Sequence, residues 1–530
     1  MTAKTRYDYL SSDRTQFLDE AEQAAELTLP YLIHKDQYSK GMRNLPTPWQ
    51  SVGAKGVVAL AAKLMQSMLP VQTSFFKLQV DESQLGQEFG PQIKSELDLS
   101  FAKIERTILE AIAASNDRVI VHEALLHLVV AGNALIFMDK DGLKVYPLNR
   151  YVVERDGNGN VIEIITKETI AKKLIEDQLP EDVLNQYDTV VDGSDDSVEE
   201  CDIYTHIKRD NNRYVWHQEV HGKILEKSYG KAPVDITPWI PLRFNTVDGE
   251  DYGRGRVGQF IGDLKSLDAL SQALVEGSAA AAKVVFTVSP SSTTKPSTLA
   301  NAGNGAIVQG RPDDIGVVQV GKTADFGTAF SMMQQLERRL NEAFLVMQVR
   351  NSERTTAEEV RLTQMELEQQ LGGLFSLLTT EFLLPYLNRI LNQFQKTGKI
   401  PRLPKDIVKP TIVAGVNALG RGQDRESLGQ FLTIVAQTMG PEAVQKFIKP
   451  EEVIKRLAAA SGIDVLNLVT SMQELQAQEQ QAQQMAMQQQ QGEQQAAMMK
   501  TPMMDPSKNP ALAQQLAPME GEITTPPDQA

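Results

Sequence analysis

Two long helical patterns separated by a β-rich insert constrain this chain more than any other feature. From Val257 to Lys283 apolar residues recur as Phe260, Leu264, Leu267, Leu270 and Leu274. That three-and-four spacing is one face of an α-helix. A second run, Phe326, Phe330, Met333, Leu336, Leu340, Phe344 and Met347, predicts a helix over 326–348. Between them lies an insert rich in Gly, Ser, Pro and Thr, from Pro290 to Lys322, with β-branched runs inside it. Asn351-Ser352-Glu353-Arg354-Thr355 breaks the second pattern, and Thr356 with Glu359 forms a capping box that restarts a helix. That helix meets Gly372-Gly373, continues through Leu374, Phe375, Leu378 and Leu383 to Pro385, and runs on to about Lys396. At about 1.5 Å per residue the first two helices are roughly 35–40 Å long. Each carries one narrow apolar stripe, which suits a wall built from repeated copies better than a compact core.

A chain of 530 residues allows about three or four structural units. Its formal net charge of −15 argues against a protein that grips nucleic acid through its phosphates, although DNA can still slide past such a surface. Cys201 is the single cysteine, so no disulfide framework is expected, and a reducing compartment is. The opening Met1-Thr2-Ala3-Lys4 is polar, with no signal-peptide apolar region expected there. The longest apolar candidate, Ala124 to Met138, is interrupted by His127 and Asn133, so no membrane span is expected.

Taken in order, residues 9–29 predict an amphipathic helix, and Ser51 to Met68 another with Val57, Leu60, Ala61, Leu64 and Met68 inward. A short strand is expected over Phe75 to Val80, helices over 91–114 and 119–130, and a turn at Ala131-Gly132-Asn133 into a strand over 134–138. From Val145 to Ile165 the pattern is β, turned at Asp156-Gly157-Asn158-Gly159-Asn160. Residues 174–200 are acidic and loop-like. Strands over 202–208, 214–220 and 223–228 form a meander, with Pro238 to Asn245 as a fourth short strand. Pro401, Pro404 and Pro410 mark a linker, Arg425 to Ala460 a small helical unit, and the Gln/Met-rich stretch after Met472 a mostly disordered tail. The elements amount to an α+β chain, mainly helical.

No motif assembles a catalytic set, and neither enzyme activity nor a cofactor or metal is expected. Gly316-Val317-Val318-Gln319-Val320-Gly321-Lys322-Thr323 matches the Walker A string, and a P-loop enzyme using Lys322 and Thr323 is the alternative function. Yet a turn precedes it, and its variable positions read as a strand, not a phosphate-cradling loop. His122 and His127 are five apart on a helix and diverge, so they are expected at the surface or its boundary. His206, His217 and His221 lie on the meander without a carboxylate at metal-ligand spacing. Two glutamates before Cys201 disfavour its thiolate. Arg350, Arg354 and Arg361 flank the helix break, either as a solvated helix end or as a loop presenting cations to phosphates. The Gln-rich tail leaves room for an adaptor or scaffold role.

Six stretches carry a resemblance to a known family: Thr47 to Gly56 (TPWQSVGAKG), Leu128 to Asn133 (LVVAGN), Tyr151 to Asp156 (YVVERD), Asp248 to Arg254 (DGEDYGR), Glu353 to Glu359 (ERTTAEE) and Ala418 to Asp424 (ALGRGQD). With the order of elements they make the chain similar to the head-to-tail connector, or portal, proteins of short-tailed, podovirus-type bacteriophages. The resemblance implies a ring, typically of twelve copies, around an axial channel at one capsid vertex. It implies a wing over 1–250, stem helices over 251–283 and 323–348, and a clip over 284–322. It further implies a tunnel loop over 349–356, a long kinked helix with a return to the wing over 357–410, a crown over 411–471 and a tail over 472–530. Arg350, Asn351, Ser352, Glu353 and Arg354 would then face DNA. The implied role is a conduit for genome packaging and ejection. The implied partners are major capsid and scaffolding proteins, the terminase large subunit, tail adaptors and the double-stranded DNA itself. The implied location is the virion, after assembly in the host cytoplasm.

Overall fold

The structure, a computed structural model, describes residues 1–33, 45–70, 74–80, 91–139, 142–171, 200–281, 285–292, 295–303, 307–309, 311, 313, 315–318, 323–346, 371–403, 408–412, 429, 431–438 and 453. The chain divides into two compact units, Met1–Ala418 and Leu419–Ala530. In the second, residues 431–438 are helical. Everything below concerns the first unit, a mixture of helix and strand. Among the described residues no helix is long and apolar enough to cross a membrane.

The core is built around α4 (Asp117–Ala131), whose Ala124 to Ala131 are all buried. A helix apolar all round must be covered on every side. Here α1 (Ala3–Glu26), α2 (Val52–Met68), α3 (Pro91–Ala114) and strands of a neighbouring sheet do so. This corrects the expectation for His127, which is 3% exposed and held near a pKa of about 4 by burial. The positions expected to face inward on α2, Val57, Leu60, Ala61, Leu64 and Met68, are buried. The first helix begins at Ala3 rather than residue 9, because the Thr2 side chain accepts a hydrogen bond from the Thr5 N–H and caps it.

The strands form separate sheets. The meander contains β4 (Tyr151–Arg155), β5 (Val161–Ala171), β6 (Glu200–Asp210), β7 (Arg213–Val220) and β8 (Lys223–Ile224) in that order, with β9 (Gly230–Pro233) also on β7. The sequence pattern misses β9 and overextends β8; Ser228 lies in a 3₁₀ turn, and Gly230 lets the chain press onto the Trp216 ring. The fourth strand expected in the meander, β10 (Trp239–Arg243), instead pairs with β2 (Asn133–Met138), which pairs with β3 (Leu143–Tyr146). The segment expected as a proline-marked linker also differs. Residues Val408–Ile412 are a strand, β13, antiparallel to β1 (Phe76–Val80), with Pro410 opposite Leu78. In a two-stranded sheet each strand has an unpaired edge, where a missing N–H costs no ladder bond.

The long helices form as the periodicity predicts, with two changes. A bend at Phe260 splits the first into α5 (Arg256–Gln259) and α6 (Ile261–Ala281). After the insert strands β11 (Val285–Val288) and β12 (Ile315–Val318), with the short α7 (Pro296–Ala300) between them, α8 (Thr323–Ala343) ends five residues before the predicted Gln348. Leu345 takes a left-handed φ of 57° and the Val346 N–H returns to the Asn341 carbonyl. This closes the last turn as a glycine-type cap does. Residues 371–378 are helical, and α9 (Leu384–Lys396) follows a five-residue π-turn, Thr379–Leu383. The Leu384 N–H reaches the Thr379 carbonyl, one residue farther than in an α-helix. Pro385 has no N–H to give the Glu381 carbonyl, so the wider turn falls where the α ladder is already broken.

Candidate functional site at the base of the paired helices

The strand-to-helix junction is set by glycines and one asparagine. Gly132 ends α4 with φ +76°, and a Cβ there would lie 2.4 Å from the Gly255 nitrogen. The Asn133 amide donates to the Gly253 carbonyl at 2.7 Å and accepts from the Gly253 N–H at 2.7 Å. The two main chains therefore lock together like a short ladder rung. Next to it the Val153 N–H donates to the Tyr252 hydroxyl at 3.1 Å, and the Arg155 N–H to Asp251 at 2.8 Å. Gln50 accepts from the Gly53 N–H, and Gly56 packs against the Phe344 ring. Four of the six stretches that carry the family resemblance thus converge on the entry to α5 and α6. The stretches over 353–359 and 418–424 lie outside the described residues.

Behind this junction sits a buried ionic cluster. Glu381, in the π-turn, accepts from the Arg243 guanidinium at 2.6 and 3.0 Å and from the Arg243 backbone N–H at 3.0 Å. Arg155 lies 3.9 Å away, its side chain only 4% exposed, and its guanidinium donates to the Gly159, Pro241 and Asp251 carbonyls. Burial pulls the Arg155 pKa down, against the opposing charge of Glu381. One carboxylate thus ties β4, β10 and the π-turn that leads into α9 together. Sequence reasoning missed it; the available signal is a lone carboxylate amid apolar residues just before Pro385.

From this base α6 and α8 run as a pair. Asp263 bridges Arg339 at 2.7 Å, Ser271 contacts Met333, and Gly277 makes room for Phe326. Among the described residues of the pair, burial is confined to the base. Leu264, Leu267, Leu340 and Phe344 are enclosed, whereas Val275, Phe330 and Met332 are about half exposed. The end of α8 is held by cations: Arg256 donates to the Ala343 carbonyl at 2.9 and 3.2 Å, and Lys63 to the Leu345 carbonyl. Both complement the negative end of the helix dipole, and burial lowers both their pKa values.

Arg350, Asn351, Ser352, Glu353 and Arg354 lie outside the described residues, as does Arg361. Gly316 to Val318 of the Walker-like string lie in β12, paired with β11; residues 319–322 are outside the described residues, and Thr323 opens α8. Cys201 is buried. On the meander, His206 and His217 stand opposite each other, and the fold supplies the carboxylates, Glu163 and Glu219, that sequence spacing did not.

A family model described as bacteriophage head to tail connecting protein matches residues 1–468. The chain belongs to that family, a structural one whose members are portal proteins at the junction of phage head and tail. The portal protein of Enterobacteria phage T3 is 37% identical over 486 residues, covering 90% of this chain and 89% of its own. That of Escherichia phage T7 is 37% identical over 485 residues, covering 89% of each. That of Enterobacteria phage SP6 is 30% identical over 451 residues, covering 84% and 85%. Among solved structures, a chain from the neck of an empty GTA particle aligns at 12% identity with a TM-score of 0.38, covering 78% of this chain and 90% of its own. A likeness at that score carries no weight for the fold.

Proposed function

We propose that this portal protein works as a closed ring of about twelve copies, through whose axial channel double-stranded DNA enters and leaves the capsid. Family membership over 468 residues carries the proposal. The α6–α8 pair adds physical support: its far half exposes Val275, Phe330 and Met332, which a neighbouring copy in a ring would cover. A closed ring repeats one heterologous interface, and that geometry suits a helix pair with an unburied stripe. The net charge of −15 per chain also suits a channel that lets DNA pass without the tight hold of counterion release.

In this scheme residues 1–250 form the wing, 251–283 and 323–348 the stem, and 284–322 the clip. Residues 349–356 form the tunnel loop, 357–410 the long kinked helix with its return to the wing, 411–471 the crown and 472–530 the Gln/Met-rich tail. Terminase docks during packaging and tail adaptors replace it, while capsid and scaffolding proteins surround the ring, assembled in the host cytoplasm. The portal itself performs no catalysis.

The native mass of the purified protein, with images of the same sample, tests the ring. A particle of about twelve chains with a central hole is expected, and a monomer under all assembly conditions would overturn the proposal. For the loop, Arg350→Glu combined with Arg354→Glu is expected to leave rings intact while impairing DNA packaging or retention, because it replaces two cations facing phosphates with anions. Normal packaging by that double variant would remove the loop from the DNA path.

A further inference from the structure

The meander carries a cluster of metal-ligand side chains that portal function does not use. His206 on β6 and His217 on β7 are cross-strand partners with ring centroids 5.4 Å apart. Directly opposed residues share one face of a sheet. Glu219, two residues beyond His217, lies on the same face because side chains alternate along a strand. Glu163 on β5 joins them from the other side: Ile165 pairs with His206, and Glu163 is two residues from Ile165. One donor atom each from His206, His217 and Glu219 lie within 4.8 Å of one another.

The pairing inside the cluster is complementary. His206 Nε2 meets Glu163 Oε1, and His217 Nε2 meets Glu219 Oε1 at 2.9 Å. The outer oxygens are held from α1. The Ala3 N–H donates to Glu219 Oε2 at 2.6 Å, and Arg6 Nε to Glu163 Oε2 at 2.8 Å. Both carboxylates are buried, and the two rings are about one-fifth exposed, which leaves a route from solvent.

We propose that His206, His217 and Glu219 form a binding site for a divalent transition metal of the zinc class, with Glu163 or water as the fourth ligand. The donor set is two imidazole nitrogens and a carboxylate oxygen, the combination that suits zinc and its neighbours rather than calcium or magnesium. Ligands about 2 Å from a central zinc lie within about 4 Å of one another, so the side chains need only turn inward slightly. The Nε2 lone pair of each ring donates to the metal, and a proton held there moves to Nδ1 or to solvent. Glu219 Oε1 completes the triad. The Ala3 N–H and Arg6 orient the carboxylates as outer partners do in metal sites. Loading joins β5, β6 and β7 to the N-terminal turn of α1.

The test is a titration of full-length protein, first stripped with a chelator, with zinc chloride by calorimetry and by metal analysis after dialysis. One zinc per chain is expected. His206→Ala combined with His217→Ala is expected to weaken uptake by more than about 10-fold, while His122→Ala on α4 leaves it unchanged. Cobalt loading of the wild type is expected to produce the strong visible absorption of tetrahedral coordination. Should the double variant misfold, His217→Gln alone, at a partly exposed position, is expected to show the same direction of loss. Absence of saturable zinc uptake by the wild type, or uptake unaffected by removing the two histidines, would overturn the assignment.

Discussion

Glu381→Ala is expected to destabilise the first unit by about 3–5 kcal/mol, the cost of leaving buried charge uncompensated. Glu381 accepts three hydrogen bonds from Arg243 and stands beside Arg155, and the side chains of both arginines are at most 10% exposed. Without the carboxylate, two guanidiniums remain in a site that cannot hydrate them, and the Arg243 N–H loses its acceptor. Glu381→Gln keeps acceptor capacity but not the charge, so its cost is expected to be smaller. Trp239 is on the same strand as Arg243 and is buried, stacked on Phe137. Tryptophan fluorescence, to which Trp239 contributes together with Trp49 and Trp216, followed through urea unfolding at fixed protein concentration, reads the effect. A Glu381→Ala midpoint indistinguishable from that of the parent chain would mean the cluster is not a structural anchor.

Gly132→Ala is expected to cost about 2–5 kcal/mol and to prevent ring assembly. Two penalties combine. A left-handed φ of +76° costs a residue with a Cβ about 1–2 kcal/mol. The added methyl group would also meet the Gly255 nitrogen at 2.4 Å and the Gly253 carbonyl oxygen at 2.6 Å, forcing the backbone apart at about 1–3 kcal/mol. Gly249 provides the control. Its φ is +80°, but nothing lies within 4 Å of its would-be Cβ, so Gly249→Ala carries only the first penalty. Unfolding midpoints for the pair, with native mass on each, separate strain from collision. Equal effects at the two positions would show that the contact between 132 and 253–255 is not what holds the stem entry.

Much of the local structure is legible because it repeats. The inward face of α2 and the paired stripes of α6 and α8 follow from 3.6-residue periodicity, which depends only on neighbours in sequence. The turn at Gly132 is marked by its glycine, and the turn between β6 and β7, where Asn211 has a φ of 52°, by the run Asp210-Asn211-Asn212. The end of α8 is not marked. Leu345 is an unfavourable residue for a left-handed cap, and it adopts that conformation where Lys63 and Arg256, from α2 and α5, bind the last carbonyls. The sequence pattern continues to Met347 because periodicity contains no information about caps supplied from elsewhere.

Long-range pairing was hidden for the same reason. Phe76 pairs with Ile412, and Arg243 with Glu381, across stretches that contain whole helices and sheets. His206 and Glu163 are 43 residues apart, so no linear spacing announces them as partners. By itself the sequence determined the helices, most strands, the acidic balance and, through six short stretches, the resemblance to the portal family. Tertiary structure alone decided which strands share a sheet, where the helix pair is anchored and which charges are buried together. Propensity and periodicity act over a few residues, whereas strand register and charge burial are settled only when distant segments compete for the same partners.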